Sequence, residues 1–132
     1  MSKVTPFLMF QGQAEEAITH YVNLIEGSEI TSLVRYGPNE PGAEGSVMQA
    51  SFSLKGQEIL CIDSSIKHDF TFTPAFSLFV TCDTEEELDK LYAGLSEGGH
   101  DLMPLGDYGF SKKFGWFVDR FGVSWQLTLP HA

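Results

Sequence analysis

Residues 8 to 25 read LMFQGQAEEAITHYVNLI, and residues 78 to 95, seventy positions on, read LFVTCDTEEELDKLYAGL. Leu8 matches Leu78, Met9 matches Phe79, Glu15-Glu16 match Glu85-Glu86, Ile18 matches Leu88 and Ile25 matches Leu95. A fainter echo at an offset of 66 sets Gly56 on Gly122. The chain therefore repeats itself, with halves of about 1–66 and 67–132. Copies this short bury little apolar surface alone, so the whole chain, 1–132, is expected to form a single domain around a shared core and a cleft. A duplication also makes ligand-bearing positions come in pairs, so function can be tested position by position.

Each copy carries the same order of elements. Val4 to Phe10 is β-prone and ends before Gly12. Ala14, Ala17, Ile18, Tyr21, Val22, Leu24 and Ile25 then recur at helical spacing, with Glu15-Glu16 in the first turn and Gly27 as the stop. Glu29 to Tyr36 reads as a strand, and residues 37–45, GPNEPGAEG, as a loop. Ser46 to Leu54 and Gln57 to Asp63 form a hairpin turning at Lys55-Gly56. Ser64 to Pro74 is a polar crossover, after which the order restarts. Ala75 to Thr81 is a strand, and Asp83 or Thr84 caps a helix reaching about Leu95 and ended by Gly98-Gly99. Asp101 to Leu105 is a strand, Gly106 to Ser111 a loop, and Lys112 to Asp119 pairs with Val123 to Leu129 across Arg120-Phe121-Gly122. Each half is β-α-β-β-β, and the fold class is α+β.

Charge and composition exclude several roles. Eight Lys and Arg stand against 18 Asp and Glu, a formal charge of −10, and no basic cluster exceeds Lys112-Lys113. A nucleic-acid partner lacks its electrostatic footprint. The acidity suits solubility first and cationic ligands second. Cys61 and Cys82 lie in apolar, strand-like runs without a CxxC or a Cys/His pairing, as small buried hydrophobes of a reducing compartment. No signal-peptide pattern and no apolar run long enough for a bilayer is visible, so a cytoplasmic protein with no membrane partner is expected.

The segment Gly115-Trp116 through Asp119-Arg120-Phe121-Gly122-Val123-Ser124-Trp125-Gln126, with the opening PFLMFQGQAEEAITHYVNLI, resembles the PhnB-like branch of the glyoxalase/bleomycin-resistance superfamily. Some members carry the label 3-demethylubiquinone-9 3-methyltransferase. The resemblance covers nearly the whole chain. It implies the vicinal oxygen chelate fold, in which tandem βαβββ modules curl around a cleft, and it implies a homodimer. It also implies where a divalent metal would be held, on the first, fourth, fifth and eighth strands. The eighth-strand carboxylate of that set falls on Gln126, and the fifth-strand histidine on Phe76. Carrying these back by the two offsets gives Pro6 and Leu60. Proline, leucine and phenylalanine offer a metal nothing, and a lone amide is a weak ligand. A slip of one residue brings in no histidine or carboxylate. His20, His68, His100 and His131 are scattered and do not replace the site. No metal and no cofactor is expected. The methyltransferase label also lacks support, because the junction Phe10-Gln11-Gly12-Gln13 has no glycine-rich S-adenosylmethionine fingerprint.

Strand alternation then proposes a cleft lining. Ser124, Gln126 and Thr128 face the cleft from the last strand, Glu58, Leu60 and Ile62 from its counterpart, Phe76, Leu78 and Val80 from the fifth strand, and Leu8 and Phe10 from the first. Trp116, Gln49 and Tyr36 complete the walls. Glu58 is the lone carboxylate and the candidate general base, set against a solvated position beside the hairpin turn. Asp119 reads as a turn-stabilising residue. A mostly apolar lining with a few polar groups suits a small molecule. The leading expectation is a metal-independent binding protein that sequesters a cationic or aromatic ligand. A metal-free enzyme on a small metabolite and a structural or regulatory protein with a vestigial cleft are the alternatives.

Overall fold

The structure, a computed structural model, describes residues 2–131. It divides into two compact units between Thr71 and Phe72, a few residues beyond the boundary suggested by the repeat. The first unit contains β1 (Phe7–Phe10), α1 (Ala14–Leu24), β2 (Glu29–Arg35), β3 (Val47–Leu54) and β4 (Gln57–Asp63). The second contains β5 (Ser77–Thr81), α2 (Glu85–Ser96), β6 (His100–Gly106), β7 (Lys113–Val118) and β8 (Ser124–Leu129). Each is βαβββ, as the repeat requires, and the class is α+β.

The sheet orders are β1-β4-β3-β2 and β5-β8-β7-β6. The first strand of each unit therefore pairs in parallel with the last, and the other neighbours are antiparallel. A parallel pair needs a long crossover, here the helix and two further strands. In the first unit the crossover ends in a tight hairpin, where Lys55 and Gly56 both have positive φ, 50° and 92°, as a two-residue turn matching strand twist demands.

One face of each sheet is closed by the helix. Ala14, Ala17, Ile18 and Tyr21 of α1 are buried over Phe52, Ile59 and Cys61. Leu88, Leu91 and Leu95 of α2 are buried with Phe117, Trp125 and Leu127. Full burial of such side chains contributes roughly 1.5–3 kcal/mol each. Burial raises the Cys61 thiol to about 12, with the nearby Asp63 charge adding to the rise, so this sulfur is a core atom and not a nucleophile.

Pairing register corrects the expected faces of the first and fifth strands. Leu8 pairs with Cys61 and Phe10 with Asp63, so both lie on the helix-facing side and are almost fully buried. Leu78 and Val80 pair with Trp125 and Leu127 in the same way. Phe7 and Met9 take the open face in the first unit, and Ser77, Phe79 and Thr81 take it in the second. A shift of one residue moves every side chain of a strand to the other face. The offset of 66 is corrected too. Phe7 lies beside Leu60, and Ser77, its repeat partner, lies beside Ser124, two residues before Gln126.

Candidate functional site

The open face of the second sheet gathers the candidate polar groups. β8 contributes Ser124, Gln126 and Thr128, and β7 contributes Phe114, Trp116 and Val118, their direct register partners. Trp116 Nε1 donates to Ser124 Oγ at 2.9 Å, the Ser124 and Ser77 hydroxyls lie 2.6 Å apart, and Gln126 Nε2 donates to Ser77 Oγ at 3.2 Å. Phe79 stands beside Gln126, 58% exposed. At one end, Phe114 is buried beneath Tyr108 and Phe110, whose rings meet it edge-on at 6.1 and 4.9 Å. Four hydrogen-bonding side chains thus run across an otherwise aromatic and apolar surface.

Of the expected site residues, Trp116 and Gln126 are brought together here. Phe76 is not: it precedes β5, is 59% exposed, and its position on the face belongs to Ser77. Ser77 escaped the sequence reading because Leu78-Phe79-Val80 is apolar on both faces, so alternation does not reveal which residues point where. The polar Ser77, two before Phe79, was the available signal.

In the first unit, Gln49, Glu58 and Leu60 share the open face with Phe7, Met9 and Ile62. Phe10 does not, being held on the helix side. Tyr36 lies past the end of β2, and its hydroxyl donates to the Asp63 carbonyl at 3.3 Å. Its ring packs so closely on Gly42 that a Cβ there would sit 2.2 Å away, which restricts that position to glycine. Glu58 is half-buried and takes a 2.6 Å ion pair from Lys3. Its carboxylate is already engaged by a cation on this face.

A second feature of the first unit lay outside the expected list. A cavity of about 280 Å³ opens at the ends of β1 and β4, lined by Gln11, Gly12, Ala43, Ser46, Asp63, Ser64, Ser65, Ile66 and Lys67. Its carboxylate is turned inward. Asp63 Oδ1 accepts from the Gly12 and Ala14 amides at 2.8 and 2.9 Å, and Oδ2 accepts from Val47 N at 2.9 Å.

A divalent metal does not fit these residues. With register applied, the inherited positions become Phe7, Leu60, Ser77 and either Ser124 or Gln126, which supply neither imidazole nor carboxylate. Among the described residues, no group of three or more His, Cys, Asp or Glu is placed to hold a metal. S-adenosylmethionine fits no better at the β1–α1 junction, where the chain's own Asp63 takes the amides of Gly12 and Ala14 and the sheet is not doubly wound. Among the described residues, no helix is long and apolar enough to cross a membrane.

Comparison with known proteins agrees with this architecture. The family model described as 3-demethylubiquinone-9 3-methyltransferase matches residues 2–128. A PhnB protein from Bacillus cereus is 59% identical, with 97% of this chain and 99% of that one covered and a TM-score of 0.94. A protein from Pseudomonas aeruginosa is 26% identical over the full length of both chains, with a TM-score of 0.86. A glyoxylase/bleomycin resistance protein/dioxygenase domain from Frankia shares the fold at 16% identity and a TM-score of 0.63, covering 99% of this chain and 93% of that one. No curated protein matches. With a family model spanning almost every residue, the chain belongs to the PhnB-like, 3-demethylubiquinone-9 3-methyltransferase family, and it shares its fold with the glyoxylase/bleomycin resistance domain.

Proposed function

We propose that this protein is a metal-independent small-molecule-binding protein that sequesters an aromatic ligand, with a cationic group favoured by the net charge of −10. The ligand lies on the open face of the second sheet, against Trp116, Phe79 and Gln126. The observation that carries the reading is the makeup of that face: exposed aromatic area crossed by neutral hydrogen-bonding groups, on the strands where the family resemblance implies a metal set. Trp116 and Phe79 supply flat apolar contact and cation–π attraction. Gln126 fixes orientation. The protein acts in the cytoplasm, a reducing compartment that suits its two free, buried cysteines, and it acts as a homodimer, as its family resemblance implies.

The test is a thermal-shift and tryptophan-fluorescence screen of aromatic amines, aromatic amides and aliphatic acids, with metal analysis of the same preparation. Aromatic amines should raise the melting temperature, and Trp116→Ala should abolish that shift. Stoichiometric zinc, nickel, manganese or iron whose removal abolishes binding would defeat metal independence. Turnover of a bound probe would move the protein from sequestration to catalysis.

A further inference from the structure

The four side chains of the second sheet form a hydrogen-bond chain whose direction is set by burial. Ser124 is 1% exposed, so its hydroxyl proton cannot point to water. Its two side-chain neighbours are Trp116 Nε1, which only donates, and Ser77 Oγ. A buried hydroxyl without an acceptor is strongly disfavoured, so Ser124 donates to Ser77. Ser77 Oγ then accepts from both Ser124 and Gln126 Nε2, which fills its acceptor capacity. Its own proton has no remaining direction but the open face, where Ser77 is half-buried beside Trp116's register partner Gln126. Two incoming donors polarise that hydroxyl and make it a stronger donor.

We infer that Ser77 is the ligand-orienting donor of this face, and that the ligand is an aromatic compound carrying an oxygen acceptor, a carbonyl, amide or carboxylate oxygen, set against its ring. This rests on the binding reading above and deepens it. An acceptor satisfies the outward proton, whereas an alkyl group in its place would leave a polarised hydroxyl buried without a partner.

The matched probes are 4-acetylbenzylamine and 4-ethylbenzylamine, both aromatic cations, which differ by a carbonyl in place of a methylene. Binding at this face is read from the Trp116 indole Nε1–H resonance. The wild-type protein should prefer the acetyl compound by about fivefold, the effect of one net hydrogen bond. Ser77→Ala should erase that preference and Ser77→Thr should retain it. Equal affinity of wild type for both probes, or a preference surviving in Ser77→Ala, would overturn the donor assignment and leave the binding reading standing. If neither probe moves the Trp116 resonance, the binding reading falls and this inference with it. A ligand-free measurement decides the direction separately. Of the two serine hydroxyl protons on this face, that of Ser124 should exchange slowly and that of Ser77 should exchange fast. A protected proton on Ser77 would overturn the chain's direction.

Discussion

The two halves place a buried carboxylate at different points of the same fold. In the first unit Asp63, at the end of β4, reaches across to hold the entry to α1 and the start of β3. In the second the equivalent helix caps itself: Thr84 Oγ1 accepts from Glu87 N at 3.1 Å, and Glu87 Oε1 accepts from Asp83 N at 2.8 Å. Its buried carboxylate, Asp119, lies instead in the β7–β8 turn, accepting from the amides of Phe121 and Val123 and from Trp125 Nε1. The fold tolerates either solution because what it requires is that helix-entry amides find an acceptor, not that a given position supply it. One half draws its cap from distant sequence and the other from its own first turn.

The largest expected effect falls where the acceptor is shared by distant segments. Asp63→Ala should cost roughly 3–5 kcal/mol in chemical denaturation, since it leaves buried amides from two further segments unpaired. Asp119→Ala should cost less, about 2–4 kcal/mol, because the amides of a short turn can rearrange toward water. A smaller loss for Asp63 than for Asp119 would break the contrast between distant and local capping. Next comes the helix entry itself. Thr84→Ala should cost about 1 kcal/mol, while Gln13→Ala, at a cap position with no side-chain cap bond, should change stability by less than about 0.5 kcal/mol.

The smallest effect concerns strand-to-helix ion pairs, which both halves possess. Lys113 reaches Asp89 at 2.7 Å and Glu85 at 3.0 Å, and Arg35 pairs with Glu15. Lys113→Ala should lose about 0.5–1 kcal/mol and Arg35→Ala less than about 0.5, both shrinking in high salt. The hydrogen bonds it donates to Asp89 and then to Glu85 raise the Lys113 ammonium above its ordinary value. Its folded pKa being the higher one, its contribution is complete below the ordinary lysine range and disappears as pH climbs through the raised value.

Element order was legible because each helix carries its own apolar period, and each hairpin its own turn residues. Lys55-Gly56 announced one hairpin and Arg120-Phe121-Gly122 the other, and both form as read. The facing of β1 and β5 was not legible. Leu8-Met9-Phe10 and Leu78-Phe79-Val80 are apolar at every position, and only pairing with β4 and β8 sets their parity. That one-residue ambiguity displaced Phe10 and Phe76 and hid Ser77, while Gln126, on a strand of alternating polarity, was placed on the open face together with its register partner Trp116. The Asp63 cap was hidden for another reason. Its partners lie 49 and 51 residues upstream and 16 upstream, beyond the reach of any local capping pattern.

The strand order carries a consequence for how the chain acquires its shape. In each half the strand made last sits inside the sheet, joining the strand made first to the rest. On a translating ribosome β1 and α1 therefore emerge with no partner for the strand and no acceptor for the helix-entry amides, and both arrive together when β4 and Asp63 clear the exit. The intervening β2–β3 pair can form locally, but loop closure across the half waits for that final strand. Each half is assembled in one late step, and its newly made apolar strands stay exposed until then.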